Sequence, residues 1–260
     1  PLVGEAHLHF RLRRTPARLV RRTCAARVAD GTMRRMGAGP VDASRMIRGG
    51  RLLSWSGGKD SAYALHLLAG DVDMLLTTYL EGSGDLPHVD VPLSLVRAQA
   101  ELLGLPLLEV PIPDPWSRVV YEERMAAVLR ATGIGSVAFG DLHLEELRRA
   151  REDNLAGIGV TGAFPCWTRD SESRAREIID AGIEAVVVCV DTRRLHAEFL
   201  GRRFDRALLK DMPAGLDACG EGGEFQTFVV HQPGAPSRLT YRTGPVRHAG
   251  DFSTLRLEPA

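Results

Sequence analysis

Beyond residue 50 the chain alternates short apolar runs with stretches whose apolar positions recur every three or four residues. Residues 51–55 read as a strand and 60–69 as a helix, with Ala62, Leu65, Leu68 and Ala69 forming its apolar stripe. A second strand follows at 74–80. Next comes an amphipathic helix at 93–103, built on Leu93, Val96, Ala100 and Leu103 and stopped by Gly104. Residues 106–110 are a third strand, 121–131 a helix, 136–139 a fourth strand and 143–155 a charged helix. Strands separated by crossover helices predict a parallel sheet of the α/β class.

After Gly159 the texture changes. A helix at 171–181 leads to the β-branched strand 184–190, then a short helix at 202–210. A glycine-rich turn at 219–224 opens the strand 225–231, and the Pro/Gly-rich tail holds one more strand at 239–242. The change sets a boundary near residue 160, between a domain at 47–160 and a smaller one at 161–250. Residues 1–46 have no apolar periodicity and are Arg-rich. They read as an extension: a start set upstream of Met46, a basic or transit-like arm, or a solvated tail.

Composition narrows the function classes. With 44% hydrophobic and 25% charged residues the chain can build a sizeable core. Its longest apolar run, residues 185–190, is far short of the ~18 residues a membrane span needs. The net charge of zero hides an asymmetry: residues 1–50 carry 11 Arg against three acids, so the remainder is acidic overall. An acidic body argues against a broad nucleic-acid footprint. Cys24, Cys166, Cys189 and Cys219 form no CxxC pair, which fits a reducing cytoplasm better than a disulfide framework or a zinc site.

The segment Ser56-Gly57-Gly58-Lys59-Asp60-Ser61 joins the first strand to the first helix. Two glycines let backbone N–H groups converge on an anion, and the helix start adds unpaired N–H groups with a partial positive charge. Two hydroxyls and an ammonium complete a polyphosphate cradle at the carboxyl edge of the sheet, where ligands sit in such folds. The segment fits neither G-x-x-x-x-G-K-[ST] nor G-x-G-x-x-G. Only two of the 33 basic residues are lysine, and Lys59 is one of them. Farther on, Gly220, Gly222 and Gly223 permit positive φ and close backbone approach. Glu221 and Glu224 place two carboxylates at a loop-to-strand junction, suited to holding Mg²⁺, orienting an ammonium group or acting as general base.

SGGKDS resembles the signature loop of the PP-loop ATP pyrophosphatases, the adenine-nucleotide α-hydrolase group. Joined to Cys219-Gly220-Glu221-Gly222-Gly223-Glu224-Phe225-Gln226-Thr227, it is similar to the diphthine–ammonia ligase family in particular. Phe139-Gly140-Asp141, with Arg148 and Glu152 on the next helix, resembles a further segment of that family. So do Pro165-Cys166-Trp167 with Arg169-Asp170, where Cys166 stands for the more usual Leu, and Gly201-Arg202. The resemblance runs in order from about residue 52 to residue 230.

It implies a Rossmann-like parallel-sheet nucleotide domain (PP-loop type) and a smaller α/β substrate domain, with the active site between them. The implied reaction is ATP-dependent: a carboxylate is adenylated, pyrophosphate leaves, and ammonia displaces AMP. ATP and Mg²⁺ are the implied cofactors, with Asp60 a metal ligand. Ser56, Gly57, Gly58, Lys59, Asp60, Ser61, Gly140 and Asp141 would bind the nucleotide, and Lys59, Glu221 and Glu224 would carry the chemistry. The implied acceptor is diphthine on translation elongation factor two. The strong preference for Arg over Lys points to a GC-rich bacterial source, in which the acceptor would be a small carboxylate.

Two other classes compete. A tRNA-modifying PP-loop enzyme would want a basic RNA surface, and a nucleotide-binding sensor would not need the two glutamates. Several residues have plain structural readings: Asp141 as a helix N-cap, Arg148 and Glu152 as an i,i+4 ion pair, His88 as a loop histidine, Cys166 and Cys219 as apolar fillers, and Trp55 and Trp167 as core or interface residues.

Overall fold

The computed structural model describes residues 49–260; the expected extension at 1–46 lies outside the described residues. Five strands form an all-parallel sheet of order β3-β2-β1-β4-β5. They are β1 (Arg51–Ser54), β2 (Met74–Leu80), β3 (Leu107–Ile112), β4 (Ser136–Ala138) and β5 (Thr161–Ala163). The crossovers are α1 (Lys59–Leu68), α2 (Leu93–Leu103), α3 (Arg118–Thr132) and α4 (Glu145–Ala156). Chain order reverses between β1 and β4, so the loops after these two strands flank the crevice where ligands bind in open α/β sheets.

The strands read as continuous apolar runs because both faces are covered. Leu52, Leu76, Val110 and Val137 face α3 and α4, packing with Met125, Leu129 and Leu155. Their neighbours Leu53, Leu75 and Ala138 face the other way and pack with α1 and α2. That second cluster does not stop at the first sheet. It continues through Trp55 and Ala62 into Val186, Phe225 and Phe228, so one core joins the two halves of the chain.

The second half holds α5 (Ser171–Asp180), β6 (Glu184–Asp191), a 3₁₀ turn at Ala197–Phe199, α6 (Arg206–Asp211), β7 (Phe225–His231), β8 (Tyr241–Ala249) and β9 (Phe252–Pro259). Its four strands form an antiparallel sheet of order β7-β6-β9-β8. Central β6 is buried at seven of its eight positions, which accounts for its unbroken β-branched run.

Several elements depart from the expected pattern for identifiable reasons. β5 is three residues long and defined by its pairing with β4, and it carries the first sheet to Ala163. The helix expected at 202–210 begins at Arg206, capped by Asp205, because the residues before it are tied to β6: the Val187 amide donates to the Arg202 carbonyl and the Phe204 amide to that of Ala185. The strand expected at 239–242 is instead a hairpin running from Tyr241 to Pro259. Gly244 and Pro245, which read as a strand breaker, sit at an irregularity of β8 between Thr243 and Val246.

Leu255 and Leu257 of β9 are buried in the shared core. Leu257→Ala should therefore destabilise the protein by about 2–5 kcal/mol, the usual cost of such a cavity, in urea unfolding. A change below ~0.5 kcal/mol, the scale of a surface substitution, would show that the hairpin is not part of the core.

Candidate active site

The SGGKDS segment follows β1 at the crevice. Helix α1 starts at Lys59, one residue earlier than the pattern suggested, with Gly58 in the N-cap position. Gly57 takes φ +73°, and a Cβ there would meet the Phe228 ring at 2.7 Å, so this position has both a conformational and a steric need for glycine. Gly140, in the loop after β4, lies against α1: a Cβ would come within 2.7–2.8 Å of Asp60 and Ser61 backbone atoms. The two crevice loops therefore touch, and Asp141 is carried beside the helix start.

Lys59 is 2% exposed. Its ammonium donates to Asp60 Oδ2 (2.9 Å) and to the Cys219 carbonyl (2.5 Å), and lies 5.3 and 5.2 Å from the Phe204 and Phe225 ring centroids. An ammonium has three protons, so one donor remains. Burial pulls the Lys59 pKa down, but Asp60, Cys219 and Glu221 overcome it and hold the group above its ordinary value. Ser61 Oγ donates to the Gly58 carbonyl (2.9 Å) and lies 3.3 Å from Ser56 Oγ, so the two hydroxyls stand together at the loop.

The glycine-rich turn comes to the same place. Asp217 organises it: Oδ1 accepts from the Ser171 hydroxyl (2.5 Å), the Cys219 amide (2.8 Å) and the Glu221 amide (3.4 Å), while Oδ2 lies 2.9 Å from His143 Nε2. Burial pushes the Asp217 pKa up, and these hydrogen bonds bring it below the ordinary carboxylate value. Gly220 and Gly223 take positive φ, and Gly222 does not. Glu221 is 3% exposed. Burial raises its pKa well above 4.5, helped by Asp60 and Asp141 and opposed by Lys59.

The two glutamates are not equivalent. Glu221 shares the electrostatic environment of Lys59, Asp60, Asp141 and Asp217, whereas Glu224 is held by Arg194 (Nη1–Oε1 3.0 Å) at the start of β7. Glu221 therefore stands with the SGGKDS loop, and Glu224 has a separate partner.

Asp141 is not a helix cap, since α4 is preceded by Leu144. It pairs with Arg151 (Nε–Oδ2 2.7 Å, Nη2–Oδ1 3.2 Å), whose guanidinium lies over the Phe139 ring. Arg148 and Glu152 form the plain i,i+4 pair (2.8 Å), with Arg148 over the Phe164 and Trp167 rings. Asp170 caps α5 through the Ser173 amide. Arg202 stacks on Phe199 and pairs with Asp211. His88, at φ +66°, makes an edge contact with Trp116. Trp55 is a core residue whose indole donates to Gln99. Burial raises the thiols of Cys166 and Cys219, the latter to about 12, so both act as apolar fillers. Asp217, His143, Ser171, Arg151, Gln99 and Thr227 belong to the site but were not singled out from the sequence. Only Thr227 and Asp217 carry a signal there, by their closeness to the GEGGE turn.

Among the described residues no group of three or more His, Cys, Asp or Glu side chains forms a ready metal site. Mg²⁺ does not need one, because it is commonly held by one or two carboxylates with substrate phosphates and water. Asp60 Oδ1 and Glu221 Oε2 are buried without a hydrogen-bond partner, and these oxygens fit such an ion. No helix among the described residues is long and apolar enough to cross a membrane.

A parallel sheet with an SGGKDS loop at its reversal point, closed over by a second antiparallel sheet, defines a Rossmann-like protein of the PP-loop class. Residues 51–160 match the family described as diphthamide synthase N-terminal domain, and residues 170–248 the one described as diphthamide synthase C-terminal domain. The chain belongs to the diphthamide synthase family, a family of enzymes.

Among its relatives is a protein of Homo sapiens named diphthine–ammonia ligase, 25% identical over 207 residues, covering 68% of this chain and 77% of the relative. A Rattus norvegicus protein of the same name is 27% identical over 136 residues, covering 50% of this chain and 51% of the relative. One of Schizosaccharomyces pombe is 27% identical over 95 residues, covering 35% of this chain and 16% of the relative. The matched segment thus spans about half of the rat protein's length.

Glu221 generates a testable pH dependence. A carboxyl whose pKa is raised by folding contributes stability below the unfolded value, near 4.5, and loses it as pH rises through the folded value. Glu221→Gln keeps the size and removes the titration. The variant should melt close to wild type near pH 4.5 and at least about 2 °C higher at pH 8, roughly the shift from 1 kcal/mol in a chain of this size. A gap that is constant with pH would refute the raised Glu221 pKa.

Proposed function

We propose that this chain is an ATP-dependent carboxylate–ammonia ligase that forms AMP. The reading rests above all on the SGGKDS loop at the switch point, joined directly to a buried GEGGE turn. The family match and the names of the relatives support diphthine as the acceptor and ammonia as the nucleophile.

In the proposed reaction an oxygen of the acceptor carboxylate attacks the α-phosphorus of ATP. The α–β bridging P–O bond breaks, and pyrophosphate leaves. The ammonia nitrogen then attacks the acyl carbon, AMP departs with the former carboxylate oxygen, and the nitrogen loses a proton to give the carboxamide. The N–H groups at the start of α1 and the Ser56 and Ser61 hydroxyls suit the polyphosphate. The remaining Lys59 proton is the donor for negative charge developing on the leaving pyrophosphate. Glu221, a buried carboxyl whose pKa burial raises, is the group suited to accept the proton that the attacking nitrogen loses. Glu224, fixed by Arg194, lines the acceptor side. Mg²⁺, held by Asp60, would neutralise triphosphate charge.

The net acidic sequence beyond residue 50 argues against the tRNA-modifying alternative. A sensor would leave the buried glutamates without a role.

The test is product analysis. With ATP, Mg²⁺, ammonia and a diphthine-bearing acceptor, the nucleotide products should be AMP and pyrophosphate, and ADP as the main product would refute the assignment. Lys59→Met, close in volume, should lower the AMP-forming rate by about 10²–10³, the usual scale for removing one electrostatic stabiliser. An unaltered rate would remove Lys59 from the mechanism.

A further inference from the structure

The loop after β1 is held in shape largely by residues outside its own strand and helix. The Gly57 carbonyl accepts from the Val229 amide of β7 (2.8 Å) and from Gln99 Nε2 of α2 (3.2 Å). Gln99 is locked in turn by the Val229 carbonyl (2.7 Å) and the Trp55 indole (2.9 Å). Because the peptide is trans and planar, a Gly57 carbonyl drawn toward β7 turns the Gly58 amide to the opposite side, where it donates to Ser56 Oγ (3.3 Å). Helix α1 has an unusual start: its N-cap is Gly58, which has no side chain to cap with. The cap comes from the second sheet. The Lys59 amide donates to Thr227 Oγ1 (3.2 Å), in a buried position 168 residues farther along the chain. The Thr227 carbonyl also lies 3.0 Å from where a Gly58 Cβ would stand, so β7 fits against the loop only because residue 58 is glycine.

We infer that Thr227 is a positioning residue of the nucleotide site: its hydroxyl oxygen caps α1 from the second domain and fixes the first turn, so that the Asp60 and Ser61 amides converge on a phosphate group. The inference rests on the nucleotide reading above and deepens it, making the second domain a structural part of the phosphate cradle. A cap of this kind ordinarily belongs to the residue preceding the helix. Supplying it from β7 frees residue 58 to be glycine. It also makes the cradle's shape depend on contact between the two halves.

The test uses wild type, Thr227→Val and Thr227→Ser, with inorganic pyrophosphate and ATP·Mg²⁺ as separate probes in calorimetry and a thermal melt on each preparation. Val keeps the volume and removes the hydroxyl. Thr227→Val should bind both probes about fivefold more weakly, the scale of losing a cap of ~1 kcal/mol, while Thr227→Ser should stay within about twofold of wild type, rescue within that scale. Wild-type affinity in Thr227→Val, or equal loss in Thr227→Ser, would overturn the inference, the latter because methyl packing would then be the cause. Should Thr227→Val fail to fold, amide exchange at Lys59 decides. Protection in both wild type and Thr227→Ser supports the cap, and rapid exchange in wild type overturns it. If wild type binds neither probe, the nucleotide reading itself fails and the inference falls with it.

Discussion

A cation withdrawn from water is the constraint on which the rest of this structure depends. The Lys59 ammonium sits in the core with aromatic rings beside it, and it can remain charged there only because carboxylates and a carbonyl are brought to it. Asp60 comes from the same helix turn. The Cys219 carbonyl and Glu221 come from a turn some 160 residues away. Asp217 holds that turn by collecting two of its amides, and is itself tied to Ser171 and His143. Remove the lysine and several acids lose their counter-charge; remove the turn and the lysine is left buried with one partner.

This coupling explains why the two halves share a single hydrophobic cluster rather than two cores with a hinge between them. The first sheet supplies the switch point, where two loops approach, with Gly140 packed onto the start of α1. The second sheet supplies β7, whose backbone and Thr227 hydroxyl complete the loop. Farther out, Arg256 of β9 bridges Asp85 and Asp90 in the segment between β2 and α2, adding a polar tie across the same junction. A site assembled in this way has its polar groups ordered beforehand, which is what stabilising charge in a reaction requires.

Much of this was legible in the sequence because the relevant signals are local. The first four parallel strands announce themselves as apolar runs buried on both faces, and the SGGKDS and GEGGE segments carry their glycines and charges contiguously. What was not legible depends on distance. Strand β5 is too short for any period and exists through its pairing with β4. The β8–β9 hairpin was hidden by Gly244 and Pro245 at an irregularity of an edge strand. Arg151 looks like the other arginines of α4 until the fold sets it against Asp141. Gln99 reads as an ordinary polar position of an amphipathic helix, yet it is buried and locks the loop. That Glu221 and Glu224 face different partners could not be read from their spacing, since three residues in a glycine-rich turn fix no direction.

The account's central claim is that the loop and the turn form one site in which a carboxylate oxygen attacks the α-phosphorus. The most direct measurement follows that oxygen. With an acceptor carboxylate carrying ¹⁸O, mass spectrometry of the nucleotide after turnover should find one labelled oxygen in the phosphate of AMP, and none in pyrophosphate. Unlabelled AMP, or label recovered in inorganic phosphate beside ADP, would contradict the account.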